Sequence, residues 1–85
     1  MKHYAVPSFW ESYEHLPLKI QKLADQCYTI LKLNPLHPSL HFKKIGNYRS
    51  VRIGSNYRAL AIEHPDGLLW FWIGNHDEYQ RMIKR

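Results

Sequence analysis

Eighty-five residues, of which 45% are hydrophobic, 14% aromatic and 22% charged, make one globular domain with a modest core and exclude a disordered chain. Twelve Lys and Arg against seven Asp and Glu leave a net charge of +5, which suits a polyanionic partner. The single cysteine, Cys27, excludes an internal disulfide and a cysteine metal cluster; no apolar run nears the roughly 20 residues that span a bilayer, and "MKHYAVPSFW" lacks a signal-peptide core, so the chain is expected in the cytoplasm, away from membranes.

In chain order, "HYAV" is aromatic and β-branched enough for a first strand closed by Pro7. Ser8 and Glu11 have capping-box spacing, which predicts a helix starting at Ser8. Phe9, Tyr13 and Leu16 fall on one stripe of it, and Pro17 ends it and starts the next helix. There Ile20, Leu23, Ala24, Cys27, Ile30 and Leu31 recur at three- and four-residue steps, giving an αα-hairpin with one apolar side and Cys27 in the core. "NPLHPSLHFKKIGN" reads as a connection with a short extended piece near Phe42 to Ile45. "YRSVRI" and "YRALAIEH" form strands around a Gly54-Ser55-Asn56 turn, and after Pro65-Asp66-Gly67 the strand "LLWFWI", apolar on both faces, should be central. Beyond Gly74, "NHDEYQRMIKR" has a cap-like Asn75, early acids and late bases, which suit a short final helix. The fold class is α+β in the order β-α-α-β-β-β-α.

Between Gln26 and Ile62 there is no acidic residue, while Lys32, Lys43, Lys44, Arg49, Arg52 and Arg58 fall inside that window, so one half of the chain should carry a phosphate-binding surface. The histidine pair in "HPSLH" is spaced by four, but on a proline-containing loop without helical facing, so neither a metal nor another cofactor is expected.

The hairpin, the "HPSLHFKKI" linker, and the pair "VRIGSNYRAL" and "FWIGNHDEY" at this separation resemble the RelE/ParE superfamily of toxins from type II toxin–antitoxin modules. The resemblance implies a small twisted antiparallel sheet with the hairpin on one face and an open concave face on the other. It also implies a cognate antitoxin as partner, and either ribosome-dependent cleavage of messenger RNA, as in RelE-like members, or poisoning of DNA gyrase, as in ParE-like ones. Arg58 matches the arginine that RelE-like toxins set against the scissile phosphate. Arg52 falls near a family lysine, Ser50 takes the place of another, His76 stands where RelE has an arginine, and Tyr79 lies close to the family's C-terminal tyrosine. Lys43, Lys44, Arg49 and Arg81 are the accompanying RNA-binding cations.

The chemistry fits these residue types. Attack by a 2′-hydroxyl on its own phosphate needs a proton acceptor, a cation for the growing charge and a proton source for the leaving oxygen. Arg58 and Arg52 suit the second task because a guanidinium donates two hydrogen bonds and stays charged. His76, at the start of the predicted last helix, suits proton transfer, and Tyr79 can orient a proton or stack on a base. The result would be a metal-independent endoribonuclease. Each residue also has a plainer reading: His76 as a helix cap, Tyr79 as packing under the last helix, Arg52 as a solvated strand residue, Arg58 as a partner of Glu63. Strict alternation sets Arg58 on the face of Leu60 and Ile62, so an exposed role for it calls for a bulge near Tyr57.

Overall fold

The computed structural model describes residues 2–84. Strand β1 (Lys2–Ala5) leads into helices α1 (Pro7–Glu14) and α2 (Leu18–Leu33); a 3-10 turn (Pro38–Leu40) precedes strands β2 (Lys43–Ile45), β3 (Tyr48–Ile53), β4 (Tyr57–His64) and β5 (Gly67–Asn75), and α3 (His76–Ile83) follows. The five strands form one sheet in the order β1-β5-β4-β3-β2. The doubly apolar β5 is interior, as its composition predicts.

Three details depart from the sequence reading. The extended piece near Phe42 is a full edge strand, β2, paired antiparallel with β3, so the strands number five. The sheet is mixed, because β1 runs parallel to β5. A hairpin turn would force the antiparallel sense, but β1 and β5 are separated by most of the chain, and a crossover of that length permits either direction. Finally, α1 begins at Pro7 with Val6 as N-cap and no capping hydrogen bond from a side chain. Proline is preorganised for the first helical position. That shift leaves Ser8 turned toward the sheet, where its hydroxyl donates to the Phe71 carbonyl at 2.8 Å.

Phe71 is itself the extra residue of a β-bulge: Leu60 pairs with Trp72 and Ala61 with Trp70, so Phe71 has no counterpart on β4. The bulge lets Trp70 and Ile73, three residues apart, reach the same face. There they join Leu31, Leu40, Val51, Ile53, Ala59 and Ala61 in the core beneath the αα-hairpin. The opposite face carries Ser50 and Leu60 and is covered by α3 through Tyr79, all three at most 3% exposed.

The β3–β4 turn depends on Gly54, whose φ of +62° lies in the left-handed region, and a Cβ there would come within 2.8 Å of the Leu23 side chain. Replacing Gly54 with Ala should cost about 1–2 kcal/mol, a fall in Tm of roughly 4–8 °C per kcal/mol in a domain of this size. Thermal denaturation followed by circular dichroism checks this, and an unchanged Tm would mean that the turn does not hold that conformation.

Candidate functional site

Directly opposite residues of an antiparallel pair share a face, so the strand register decides which side chains meet. Ser50 pairs with Leu60 and Arg52 with Arg58; Arg58 pairs in turn with Gly74. The row Arg52–Arg58–Gly74 therefore lies one step beyond the row Ser50–Leu60–Trp72, at the end of the face that α3 covers. Gly74 is buried and lets the Trp72 ring lie over it, since a Cβ there would run into that ring. This explains the abrupt change after "WFWIG": β5 fills the interior up to Gly74, and the chain then turns to set its polar residues at the mouth of the face.

Asn75 caps α3 through its side chain, accepting from the Glu78 amide at 2.9 Å, and the His76 amide donates to the Asn56 carbonyl at 2.7 Å. These two contacts fix the first turn of α3 against the β3–β4 turn. His76, half-buried, then lies with its ring centroid 5.8 Å from that of Tyr79, and the Arg58 guanidinium stands 5.9 Å from the same Tyr79 centroid. All four candidate catalytic residues, Arg52, Arg58, His76 and Tyr79, thus belong to one end of one face. No bulge near Tyr57 is needed: pairing is regular from Tyr57 to Leu60, and Arg58 emerges because α3 covers Leu60 and leaves the end of the strand partly open.

The two arginines are held by carbonyls. Arg52 donates from Nε to the Gly54 carbonyl at 2.9 Å, and Arg58 from Nη1 to the Tyr57 and Ser55 carbonyls at 2.7 and 3.3 Å. Among the described residues neither forms an ion pair. Burial, with the neighbouring Arg52 charge second, lowers the Arg58 pKa from its ordinary value. Two like charges thus face each other across β3 and β4 with no carboxylate paired to either among the described residues.

The remaining cations divide. Lys43 pairs with Ser50 and so shares the face of the arginines, whereas Lys44 pairs with Arg49 on the hairpin face. Glu63 lies just outside the acid-free window of the sequence, yet the β3–β4 pairing brings it back. It accepts from Arg49 Nη2 at 2.9 Å and lies 3.9 Å from Lys44 Nζ, and the Arg49 hydrogen bond, then the Lys44 charge, lower its pKa. The expected single basic surface is therefore split by strand alternation, and Glu63 takes Arg49 rather than Arg58. Arg81 is exposed on α3.

Gln80 escapes the sequence reading as a site member, and Ser50 enters it only as the residue in a family lysine's place. The Gln80 amide nitrogen lies 3.2 Å from His76 Nε2, a contact that a neutral imidazole protonated on Nδ1 accepts; the four-residue helical spacing was its available signal. The Ser50 hydroxyl donates to the Tyr79 phenol oxygen at 3.1 Å. With 3% of its surface exposed, the Tyr79 ring offers no free face for stacking on a base. A cavity of about 490 Å³ lies on the other side of the sheet, lined by core residues such as Leu31, Val51 and Ile73, and belongs to the seam between hairpin and sheet.

No protein-family model and no curated protein matches the chain. Solved structures do. A chain of the RelB–RelE antitoxin–toxin complex from Methanococcus jannaschii superposes with a TM-score of 0.71 at 22% identity, over 93% of this chain and 96% of that one. The chain has the RelE toxin fold. A copper-bound mutant toxin from Helicobacter pylori gives 0.68 at 22% identity over 92% and 97%, and the isolated E. coli RelE toxin 0.63 at 10% over 98% and 95%. On this RelE fold the four converging residues occupy the sheet face that carries α3, opposite the hairpin.

A guanidinium whose pKa falls on folding costs stability at every pH below its folded pKa, because it is charged in both states there; the cost is relieved only in strongly alkaline solution. Replacing Arg58 with Gln should therefore leave the neutral-pH Tm unchanged or slightly raised. Calorimetry provides the check, and a fall of several degrees would identify Arg58 as a structural cation.

Proposed function

We propose that this protein is the toxin of a type II toxin–antitoxin module, acting in the cytoplasm as a ribosome-dependent endoribonuclease on messenger RNA, with a cognate antitoxin as its partner. The observation that carries the reading is the facing pair Arg52 and Arg58, without an ion-pair partner among the described residues, beside His76 at a half-exposed sheet end. A gyrase inhibitor of the same fold needs a binding surface only, and nothing in it calls for two unneutralised guanidiniums next to an imidazole.

In this reading the arginines receive the scissile phosphate and stabilise the charge that grows on its non-bridging oxygens as phosphorus becomes five-coordinate. His76 takes the proton of the attacking 2′-hydroxyl on Nε2, with the 2′-hydroxyl displacing the Gln80 amide from that nitrogen. The bond from O2′ to phosphorus forms, the bond from phosphorus to O5′ breaks, and a water protonates the leaving oxygen, giving a 2′,3′-cyclic phosphate and a free 5′-hydroxyl. Protein cations supply the electrostatic stabilisation, so no metal is required. Lys43 steers the backbone toward the pair from the same face, with Arg81 as a more distant contributor.

Arg58→Ala should remove roughly 3 kcal/mol of transition-state stabilisation, two to three orders of magnitude in rate, and His76→Ala about 10²-fold. The measurement is growth arrest on induced expression, with messenger RNA ends mapped and plasmid supercoiling assayed in the same cells. Cleaved messages in the wild type that vanish in both variants support the reading. Intact messages with inhibited gyrase would replace it with the gyrase reading, and arrest with neither signature would contradict both.

A further inference from the structure

The sequence offers Tyr79 as a proton-transfer or stacking group, but its surroundings suit another task. The ring is 3% exposed and lies among groups from three elements: Ser50 of β3, Arg58 of β4 and His76 of its own helix. Ser50, at 1% exposure, is the one buried hydrophilic side chain among the described residues, and its hydroxyl is spent on the Tyr79 oxygen. A buried ring held at its hydroxyl end cannot swing, so its face and edge become fixed surfaces for whatever packs on them. Arg58 is one such group, drawn to the ring by the attraction of a cation for an aromatic quadrupole, and its two described hydrogen bonds both leave from Nη1. The ring therefore shares with the Tyr57 and Ser55 carbonyls the control of where Nε and Nη2 point. His76 is the other, set one helical turn back along α3.

We propose that Ser50 and Tyr79 are positioning residues for this site: the Ser50 hydroxyl fixes the Tyr79 ring, and the ring aims the Arg58 guanidinium and the His76 imidazole. The kinetic half of this inference rests on the RNA-cleaving reading above; the geometric half does not. Tyr79 acts through its ring, and its hydroxyl serves only as the anchor for Ser50.

The test uses Ser50→Ala, Tyr79→Phe, the double variant and Tyr79→Leu, each first shown to be folded by circular dichroism. Without any substrate, the nitrogen-bound proton of Arg58 Nε and the ring protons of His76 are followed by NMR. In Ser50→Ala and Tyr79→Leu both sets should shift together while Arg49 stays in place. Unmoved Arg58 and His76 signals in folded Tyr79→Leu would overturn the proposal, whether or not the protein cuts RNA. In ribosome-dependent cleavage, Ser50→Ala and Tyr79→Phe should each lower kcat by about 10-fold with KM within roughly twofold, and the double variant should fall no further than the worse single one. Additive losses would overturn the pairing. A Tyr79→Phe loss as large as that of His76→Ala would make the phenol a proton-transfer group and overturn the positioning role.

Discussion

The placement of α3 depends on a buried hydrogen bond between two side chains far apart in sequence, the hydroxyls of Ser50 and Tyr79. Eight residues of helix cannot hold themselves in water, so α3 persists because one face of it is buried against the sheet. An apolar contact alone would let it slide along β4 and β5. A hydroxyl pair sealed from solvent does not tolerate sliding, because each group would lose its partner where water cannot replace it. With the His76 amide held on the Asn56 carbonyl at the helix N-terminus, that constraint sets His76 beside the end of the strand that carries Arg58.

The same register decides the electrostatics. Five cations cluster on β2, β3 and β4, but alternation sends Lys44 and Arg49 to the hairpin face, where Glu63 partly neutralises them, and Lys43, Arg52 and Arg58 to the α3 face. Surface pairs such as Arg49 with Glu63 contribute little stability. Their effect is sorting, since they leave the unneutralised charge concentrated near one open sheet end.

Much of this was legible in the sequence. Every α-helix, every strand except β2, and the interior position of "LLWFWI" followed from periodicity and turn chemistry, while the candidate quartet came from the resemblance. What was not legible depended on long-range pairing. The parallel sense of β1 has no local signature, and the bulge at Phe71 exists only relative to β4. Ser8 has capping-box spacing, yet Pro7 one residue earlier outcompetes it for the helix start. Glu63 is adjacent to Ile62 in sequence but meets Arg49 only when β3 and β4 pair, so a charge window drawn along the chain overstates the basic surface. Arg58 was awkward on an apolar strand face until α3 showed which part of that face is covered.

The central claim is that the end of the α3 face, and not the sheet's other basic region, receives RNA. It is tested most directly by titrating isotope-labelled protein with a 2′-O-methyl oligoribonucleotide, which lacks the attacking hydroxyl and so binds without being cut. The side-chain signals of Arg52, Arg58, Lys43 and His76 should shift together along one binding curve that weakens with added salt. Shifts at Arg49 and Lys44 with Arg52 and Arg58 silent would contradict the account.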